Sequence, residues 1–264
     1  MATRRERDSL NAVSVHSSEI EKEAARAINR RGSLPPASGS CEKGTNGNGH
    51  AANGRSASAQ PKKDKSPSHA VEEFFDLAQK ELAALRTRAE VDAIERAAEL
   101  ILECEAHGGR VHVTGIGKSE YVARYIASLL SSTGTPAYFL HATECVHGSA
   151  GQVCSPDITI AISNSGTTAE LMSAVEALRD LGIKIIGVSG NTESPLALAA
   201  DVLLYAGVDN EGGDLNLVPR ASILAKIFVL CALSVALEAR KGLTREQYAR
   251  WHPGGKLGKL ARGD

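Results

Sequence analysis

The chain has few aromatic residues, few cysteines and little net charge. Aromatic residues make up 4% of its 264 positions, and its five cysteines form no Cys-x-x-Cys pair. This cysteine pattern excludes a small disulfide scaffold and the common zinc modules. No uninterrupted apolar run reaches the roughly 18 residues of a membrane span, so we expect no membrane partner. Reduced thiols and a cytoplasmic location are therefore predicted.

The composition changes near residue 70. Residues 1–70 are rich in Ser, Gly, Asn, Pro and Lys and poor in large apolar side chains, with 12 Lys and Arg against 7 Asp and Glu. Such a segment cannot bury enough surface to offset the entropy cost of ordering. We predict a disordered basic tail over residues 1–70 and one folded domain over residues 71–264. Nucleic acid is not an expected partner, because no aromatic residues or recognition element accompany the charges.

A hydroxyl-rich turn lies between an apolar run and a helical pattern. Residues 163–170 have the sequence Ser-Asn-Ser-Gly-Thr-Thr-Ala-Glu. The hydroxyls come from Ser163, Ser165, Thr167 and Thr168. Gly166 lets the backbone approach a ligand, and the N–H groups at a helix start favour an anion. A single Ser or Thr here would indicate only a helix cap, but four hydroxyls around one glycine favour a phosphate-binding loop.

A second strand-turn-helix pattern lies upstream, where Gly115-Ile-Gly-Lys-Ser119 follows the strand-like segment Arg110-Val-His-Val-Thr114. Its spacing is neither that of a Walker loop nor that of a full dinucleotide fingerprint. Because ligands of open parallel sheets gather beyond the carboxyl ends of the strands, we expect the two turns to face one site.

Two entry helices are predicted, over residues 71–86 and 90–106. On the first, one apolar stripe holds Phe74, Phe75, Leu77 and Leu82. Strand candidates then alternate with helical patterns along the folded part. The predicted strands are 111–114, 137–140, 158–162, 184–188 and 202–205. The pattern predicts a doubly wound α/β fold, a three-layer sandwich around a five-stranded, mainly parallel sheet of the flavodoxin or Rossmann type. Segment 221–237 is apolar on nearly every helical face. Either another subunit or the rest of the same domain is expected to cover it.

The two loops together resemble the signature loops of the sugar isomerase (SIS) domain, which binds phosphosugars. Three further motifs, Glu144-Cys-Val-His-Gly148, Gly190-Asn-Thr-Glu-Ser194 and His252-Pro-Gly-Gly-Lys-Leu-Gly258, are similar to those of the bacterial D-arabinose 5-phosphate isomerases. The resemblance runs from about residue 71 to the C-terminus. It departs from the family after Glu211, in a segment that resembles its substrate-facing part. Many members carry a pair of CBS domains after the last motif, and we expect none here.

The resemblance implies an aldose-ketose isomerase that interconverts D-arabinose 5-phosphate and D-ribulose 5-phosphate through an enediol. Acid-base side chains suffice for this chemistry, so no metal and no other cofactor is expected. The implied catalytic residues are Lys118, His147, Glu170, Glu211 and His252. The implied phosphosugar-binding residues are Gly115, Gly117, Ser119, Ser163, Asn164, Ser165, Gly166, Thr167 and Thr168. A homotetramer is also implied.

Two alternatives stay open from the sequence. One is another phosphosugar isomerase, acting on a hexulose 6-phosphate. The other is a non-catalytic phosphosugar sensor that keeps the loops and uses its basic tail to meet a partner. The sequence also leaves open which of Glu170, Glu211 and His252 removes the C2 proton.

Overall fold

The computed structural model describes residues 66–263, so residues 1–65 of the predicted tail lie outside the described residues. The first helix of the described residues, α1 (Pro67–Arg88), begins before the domain start predicted at residue 71. The Ser66 hydroxyl accepts a hydrogen bond from the His69 backbone N–H at 3.3 Å, and proline occupies the first helical position. Both features favour a helix start at this point.

Strands and helices alternate after α1. The strands are β1 (Val111–Gly115), β2 (Ala137–Phe139), β3 (Ile158–Ile162), β4 (Lys184–Ser189) and β5 (Val202–Tyr205). The helices are α2 (Val91–Ala106), α3 (Lys118–Ser132), α4 (Ala142–Cys145), α5 (Ala169–Asp180), α6 (Pro195–Ala199), α7 (Ala221–Lys241), α8 (Arg245–Trp251) and α9 (Gly255–Arg262), with a 3-10 turn at Ser149–Gln152. Each predicted strand is confirmed to within one residue at either end.

The five strands form one parallel sheet in the order β2-β1-β3-β4-β5. β1 and β3 are buried along their whole length and pair so that Gly115 lies opposite Ile162. The chain leaves β1 towards β2 on one side and leaves β3 towards β4 on the other. In such a sheet the crevice for a ligand lies beyond the carboxyl ends of these two neighbouring strands.

Apolar clusters cover both faces of the sheet. One face packs against α1, α2, α3 and α7, with Ile126 and Leu233 among the buried side chains. The other face packs against α4, α5 and α6, with Leu171 and Leu178 in its core. The doubly wound, three-layer α/β fold predicted from the sequence is confirmed.

Helix α7 is long and apolar enough to cross a membrane, by length and composition alone. Lys226 interrupts the apolar run of α7, so the prediction that no uninterrupted apolar run reaches about 18 residues holds for this helix. Half of the apolar window is buried inside the domain, where α7 packs against α1, α2 and α3. The core helix of a globular domain has the same properties.

Helix α1 packs differently from its predicted stripe. Phe75 was expected to face the core together with Phe74, yet it is 55% exposed, and the buried positions of α1 are Glu81 and Leu85. The stripe was wrong here because α1 lies at the margin of the helical layer, with contacts mainly to α7. The Glu81 carboxylate accepts a hydrogen bond from the Asp209 backbone N–H at 2.9 Å. Helix α1 thereby fixes the segment that leads into Glu211.

Candidate functional site

The hydroxyl loop, residues 163–168, joins β3 to α5 and is held by its own side chains. The buried Ser163 hydroxyl accepts a hydrogen bond from the Gly166 backbone N–H at 3.1 Å and lies 3.2 Å from the Thr168 hydroxyl. The Ser165 hydroxyl accepts bonds from both the backbone N–H and the hydroxyl of Thr167, at 3.3 and 3.1 Å. These contacts preorganise the loop before any ligand binds.

Contacts with the segment that follows β4 fix the position of the hydroxyl loop. The Gly190 backbone N–H donates to the Asn164 carbonyl at 2.9 Å, and the Leu196 N–H donates to the Gly166 carbonyl at 3.1 Å. Gly166 has φ +65°, and a Cβ on it would overlap the Ser194 hydroxyl. Only glycine satisfies both the backbone angle and the space.

The turn after β1 brings a second backbone segment beside the hydroxyl loop. A Cβ on Gly115 would come within 2.9 Å of the Ser119 carbonyl oxygen and 3.1 Å of the Ile162 carbonyl oxygen. Gly117, with φ +60°, is the N-cap of α3. The helix therefore starts at Lys118, and Lys118 and Ser119 lie at the edge of the sheet next to the hydroxyl loop.

Glu211 supplies a carboxylate to the same site. Its Oε2 accepts hydrogen bonds from the backbone N–H groups of Arg220 at 2.7 Å and Ser222 at 3.0 Å. These N–H groups belong to the start of α7, where a negative charge is favoured by the helix dipole. The Glu211 backbone N–H in turn donates to the Asn216 side chain at 2.6 Å. The backbone and the carboxylate of Glu211 are therefore each held by hydrogen bonds.

These parts enclose a cleft of about 290 Å³. The predicted residues that line it are Lys118, Ser119, Ser163, Asn164, Ser165, Thr168 and Glu211. The other lining residues are Ile116, Ile162, Pro219, Ser222, Ile223 and Lys226. Seven of the predicted site residues therefore meet in one place, although they come from three separate segments of the chain.

Other predicted binding residues shape the cleft without lining it. Gly115, Gly117 and Gly166 set the two turns, and Thr167 binds Ser165 as described above. No metal ligands gather here: within residues 66–263, no three His, Cys, Asp or Glu side chains form a group that could hold a metal ion.

Three of the predicted catalytic residues do not line the cleft of the single chain. Glu170 is exposed in the first turn of α5, and His147 is exposed just after α4. His252 is half-buried where α8 ends, with Nδ1 2.9 Å from the Tyr248 carbonyl oxygen and its ring stacked on Tyr248 at 3.9 Å. Their catalytic roles stay predictions.

Lys226 is a member of the site that the sequence analysis missed. It lies one and a half turns into α7, is only 1% exposed and lines the cleft. Burial lowers the pKa of its ammonium to about 8, while the nearby Glu211 carboxylate opposes that shift. One sequence signal was present, since Lys226 is the only charged residue in segment 221–237. A charge surrounded by apolar helical positions is costly to bury unless it has a function or a partner.

The arrangement suits a small anionic ligand that undergoes proton transfer. The hydroxyl loop and the helix starts can hold an anion such as a phosphate. In the same cleft, the carboxylate of Glu211 offers a proton acceptor and the ammonium of Lys226 a charged hydrogen-bond donor.

Comparisons with known proteins agree with this geometry. A family model described as the SIS domain matches residues 106–236. The arabinose 5-phosphate isomerase KdsD of Pseudomonas aeruginosa is 45% identical over 168 residues, which cover 64% of this chain and 51% of that protein. The arabinose 5-phosphate isomerase GutQ of Escherichia coli K12 is 40% identical over 167 residues, 63% of this chain and 51% of that protein. The chain thus spans about half the length of these curated relatives.

A solved structure is also similar over nearly its whole length. The protein c3406 of E. coli CFT073, solved in complex with arabinose 5-phosphate, superposes with a TM-score of 0.66 at 32% identity. The match covers 70% of this chain and 97% of that one.

Proposed function

The chain belongs to the SIS domain family, and on that premise we propose that it is a phosphosugar aldose-ketose isomerase that works through an enediol intermediate. The substrate pair we propose is D-arabinose 5-phosphate and D-ribulose 5-phosphate. Two curated relatives named arabinose 5-phosphate isomerase and a structural neighbour in complex with arabinose 5-phosphate support that choice.

One observation carries the proposal: a hydroxyl-rich anion loop and a fixed carboxylate line the same small cleft. A loop alone would support only phosphate binding. The Glu211 carboxylate, held by two backbone N–H groups, adds an acid-base group to the cleft that the hydroxyl loop lines. Phosphate binding and proton transfer can therefore occur on one bound molecule.

The reaction requires phosphate binding and proton transfer, which different residues of the cleft can perform. The hydroxyl loop and the start of α3 hold the phosphate, so that the carbon chain extends towards α7. A base removes the proton from C2, and the same or another acid returns a proton to C1. Glu211 is the carboxylate that the cleft offers for this transfer. Glu170, His147 and His252 are proposed as further acid-base groups, on the family motifs that they match.

The decisive experiment incubates arabinose 5-phosphate with the purified protein in heavy water. NMR should show ketose formation together with deuterium at the transferred position, unless a shielded base returns the same proton. The Glu170→Gln and His252→Ala proteins should each lose about 10²-fold or more in turnover, since a missing general acid or base costs 10²- to 10⁴-fold. Glu176→Gln is the matched control, because Glu176 is an exposed carboxylate on the same helix as Glu170.

The outcomes separate the alternatives. A wild-type protein that binds arabinose 5-phosphate but forms no ketose and exchanges no proton would be a sensor. Turnover of a hexulose 6-phosphate instead would keep the reaction class and change the substrate. If Glu170→Gln behaves like Glu176→Gln, Glu170 has no catalytic role.

We also propose that the chain forms a homotetramer in the cytoplasm. The support for assembly is an apolar groove between α2 and the outer side of α7, which includes Val91, Phe228 and Val235. A second copy of the chain would cover these side chains. The four cysteines within residues 66–263 are free thiols, which suits a reducing compartment.

A further inference from the structure

Lys226 occupies an unusual position for a lysine. Its side chain is 1% exposed, yet it reaches the cleft from a helix whose neighbouring positions are almost all apolar. Buried lysines are uncommon in proteins and normally have partners for their charge. The contacts of Lys226 therefore indicate whether it serves the fold or the site.

The ammonium of Lys226 has few protein partners. Its Nζ donates one hydrogen bond, to the Ser222 carbonyl at 3.1 Å. An ammonium has three donors, so among residues 66–263 two of them have no hydrogen-bond acceptor. The Ser222 hydroxyl, which is also fully buried and also belongs to a cleft-lining residue, has no hydrogen-bond partner among the described residues either. The Lys226 ammonium and the Ser222 hydroxyl are thus two incompletely bonded polar groups at the cleft. Buried polar groups in proteins normally have hydrogen-bond partners.

Lys241, on the same helix, shows what a structural lysine looks like in this protein. Its Nζ donates to the Glu105 carboxylate at 2.6 Å, to the Thr135 hydroxyl at 2.6 Å and to the Gly134 carbonyl at 3.1 Å. All three donors are satisfied by the fold. Lys226 has no such set, so its remaining donors are available to a ligand.

Ser222 connects Lys226 to the carboxylate of the site. The Ser222 backbone N–H donates to Glu211 Oε2, and its carbonyl accepts from Lys226 Nζ. A negative and a positive group are therefore fixed at the same turn of α7. Burial lowers the pKa of Lys226 to about 8, which leaves it mainly an ammonium at neutral pH.

We propose that Lys226 is a catalytic residue whose ammonium donates a hydrogen bond to the reacting oxygen of the phosphosugar. This rests on the proposed function. When the base takes the C2 proton, the electron pair of that C–H bond forms the C1–C2 double bond, and negative charge develops on the carbonyl oxygen. The Lys226 ammonium stabilises that charge and keeps its own protons. The enediolate becomes the ketose when the C2 proton returns from its base to C1, the proton of the C2 hydroxyl passes to O1, and the C2–O bond becomes the carbonyl.

The buried position makes Lys226 better suited to this task than Lys118. Lys118 also lines the cleft but is exposed, so water screens its charge. A donor that is fixed in a water-poor site stabilises a developing oxyanion more strongly and needs no reorganisation. Lys118, which lies next to the hydroxyl loop, is then left to bind the phosphate.

The test compares Lys226→Met with Lys241→Met. For both proteins, turnover and KM on arabinose 5-phosphate are measured beside the melting temperature. We expect Lys226→Met to lose about 10²-fold or more in kcat, the usual effect of removing one oxyanion donor, with KM changed much less. Its melting temperature should equal or exceed that of the wild type, because a buried charge has been removed. Lys241→Met should show the opposite pattern, with a lower melting temperature and a nearly unchanged kcat.

The other possible results separate the role of Lys226 from the proposed function. Wild-type turnover with an equally active Lys226→Met would overturn the role of Lys226 and leave the proposed function intact. A wild-type protein without turnover on any phosphosugar would overturn both. If Lys226→Met does not fold, Lys226→Gln, which keeps a donor but no charge, takes its place. Failure of both variants to fold would show that the ammonium serves the fold and not the reaction.

Discussion

The lysine that lines the cleft should leave a signature in stability as well as in catalysis. Burial lowers the pKa of Lys226 from 10.5 to about 8. Below pH 8 both the folded and the unfolded chain bind the proton, and the folded state is penalised for burying the charge. Above about pH 10.5 Lys226 is neutral in both states and the penalty is gone. The contribution of Lys226 to the free energy of unfolding therefore rises as the pH increases from 8 to 10.5.

Urea unfolding at several pH values checks this prediction. The free energy of unfolding of the wild type, relative to that of Lys226→Met, should rise by on the order of 3 kcal/mol between pH 8 and pH 10.5. Other titrating groups are common to the two proteins and cancel in the difference. A difference that does not change with pH would mean that Lys226 titrates as it does in water.

Individual residues of the site were predictable where a local motif identified them. Ser163, Ser165 and Glu211 were assigned from the sequence and do line the cleft. Lys226 was missed, because helical periodicity places it inside an apolar segment and does not show that it lies beside Glu211 in the cleft. The path of the segment between β5 and α7 brings these two residues together, and no local pattern of the sequence predicts that path.

The loop between β3 and α5 depends on one glycine. Gly166→Ala should cost more in stability than the roughly 1–2 kcal/mol of a left-handed backbone, because the new methyl also overlaps Ser194. Phosphosugar binding should weaken with it, since Gly166 bonds both to Ser163 and to Leu196. Thermal melting and calorimetric titration with arabinose 5-phosphate measure the two effects.

Gly182→Ala is the matched control for that change. Gly182 has a similar φ of +78°, but a Cβ there would meet nothing within 4 Å. It should therefore show the backbone cost alone and leave phosphosugar binding unchanged. Equal losses in the two variants would mean that the contact with Ser194 carries no energy.

Strands were easier to predict than helix faces. β3 was predicted at its observed bounds because it is buried on both faces and is apolar at every position except Thr159. The face of α1 was not predictable in the same way. Its aromatic residues mark a stripe, but Phe74 is half-buried and Phe75 exposed, since only the arrangement of neighbouring helices decides which side is covered.

Assembly of whole chains should depend on the outer side of α7. Phe228 and Val235 are 41% and 64% exposed there and line an apolar groove. Light scattering on the wild type should give four times the mass of one chain, and Phe228→Asp should give a smaller particle, because a charge in an apolar interface is not solvated. Leu181→Asp, an equally exposed apolar position at the end of α5, is the control. A monomeric wild type at micromolar concentration would contradict the tetramer.

In a parallel sheet the amino ends of all strands lie at the same edge. Here that edge is opposite the cleft, which lies beyond the carboxyl ends. Cys154 lies shortly before β3 at that edge, and within residues 66–263 it is the one exposed thiol. β3 has five residues, and a strand rises about 3.3 Å per residue, so roughly 16 Å of strand separates this thiol from the hydroxyl loop. A fluorophore or a surface linker attached to Cys154 would therefore leave the cleft open, and the protein could be immobilised or followed as single molecules in a form that still admits its ligand.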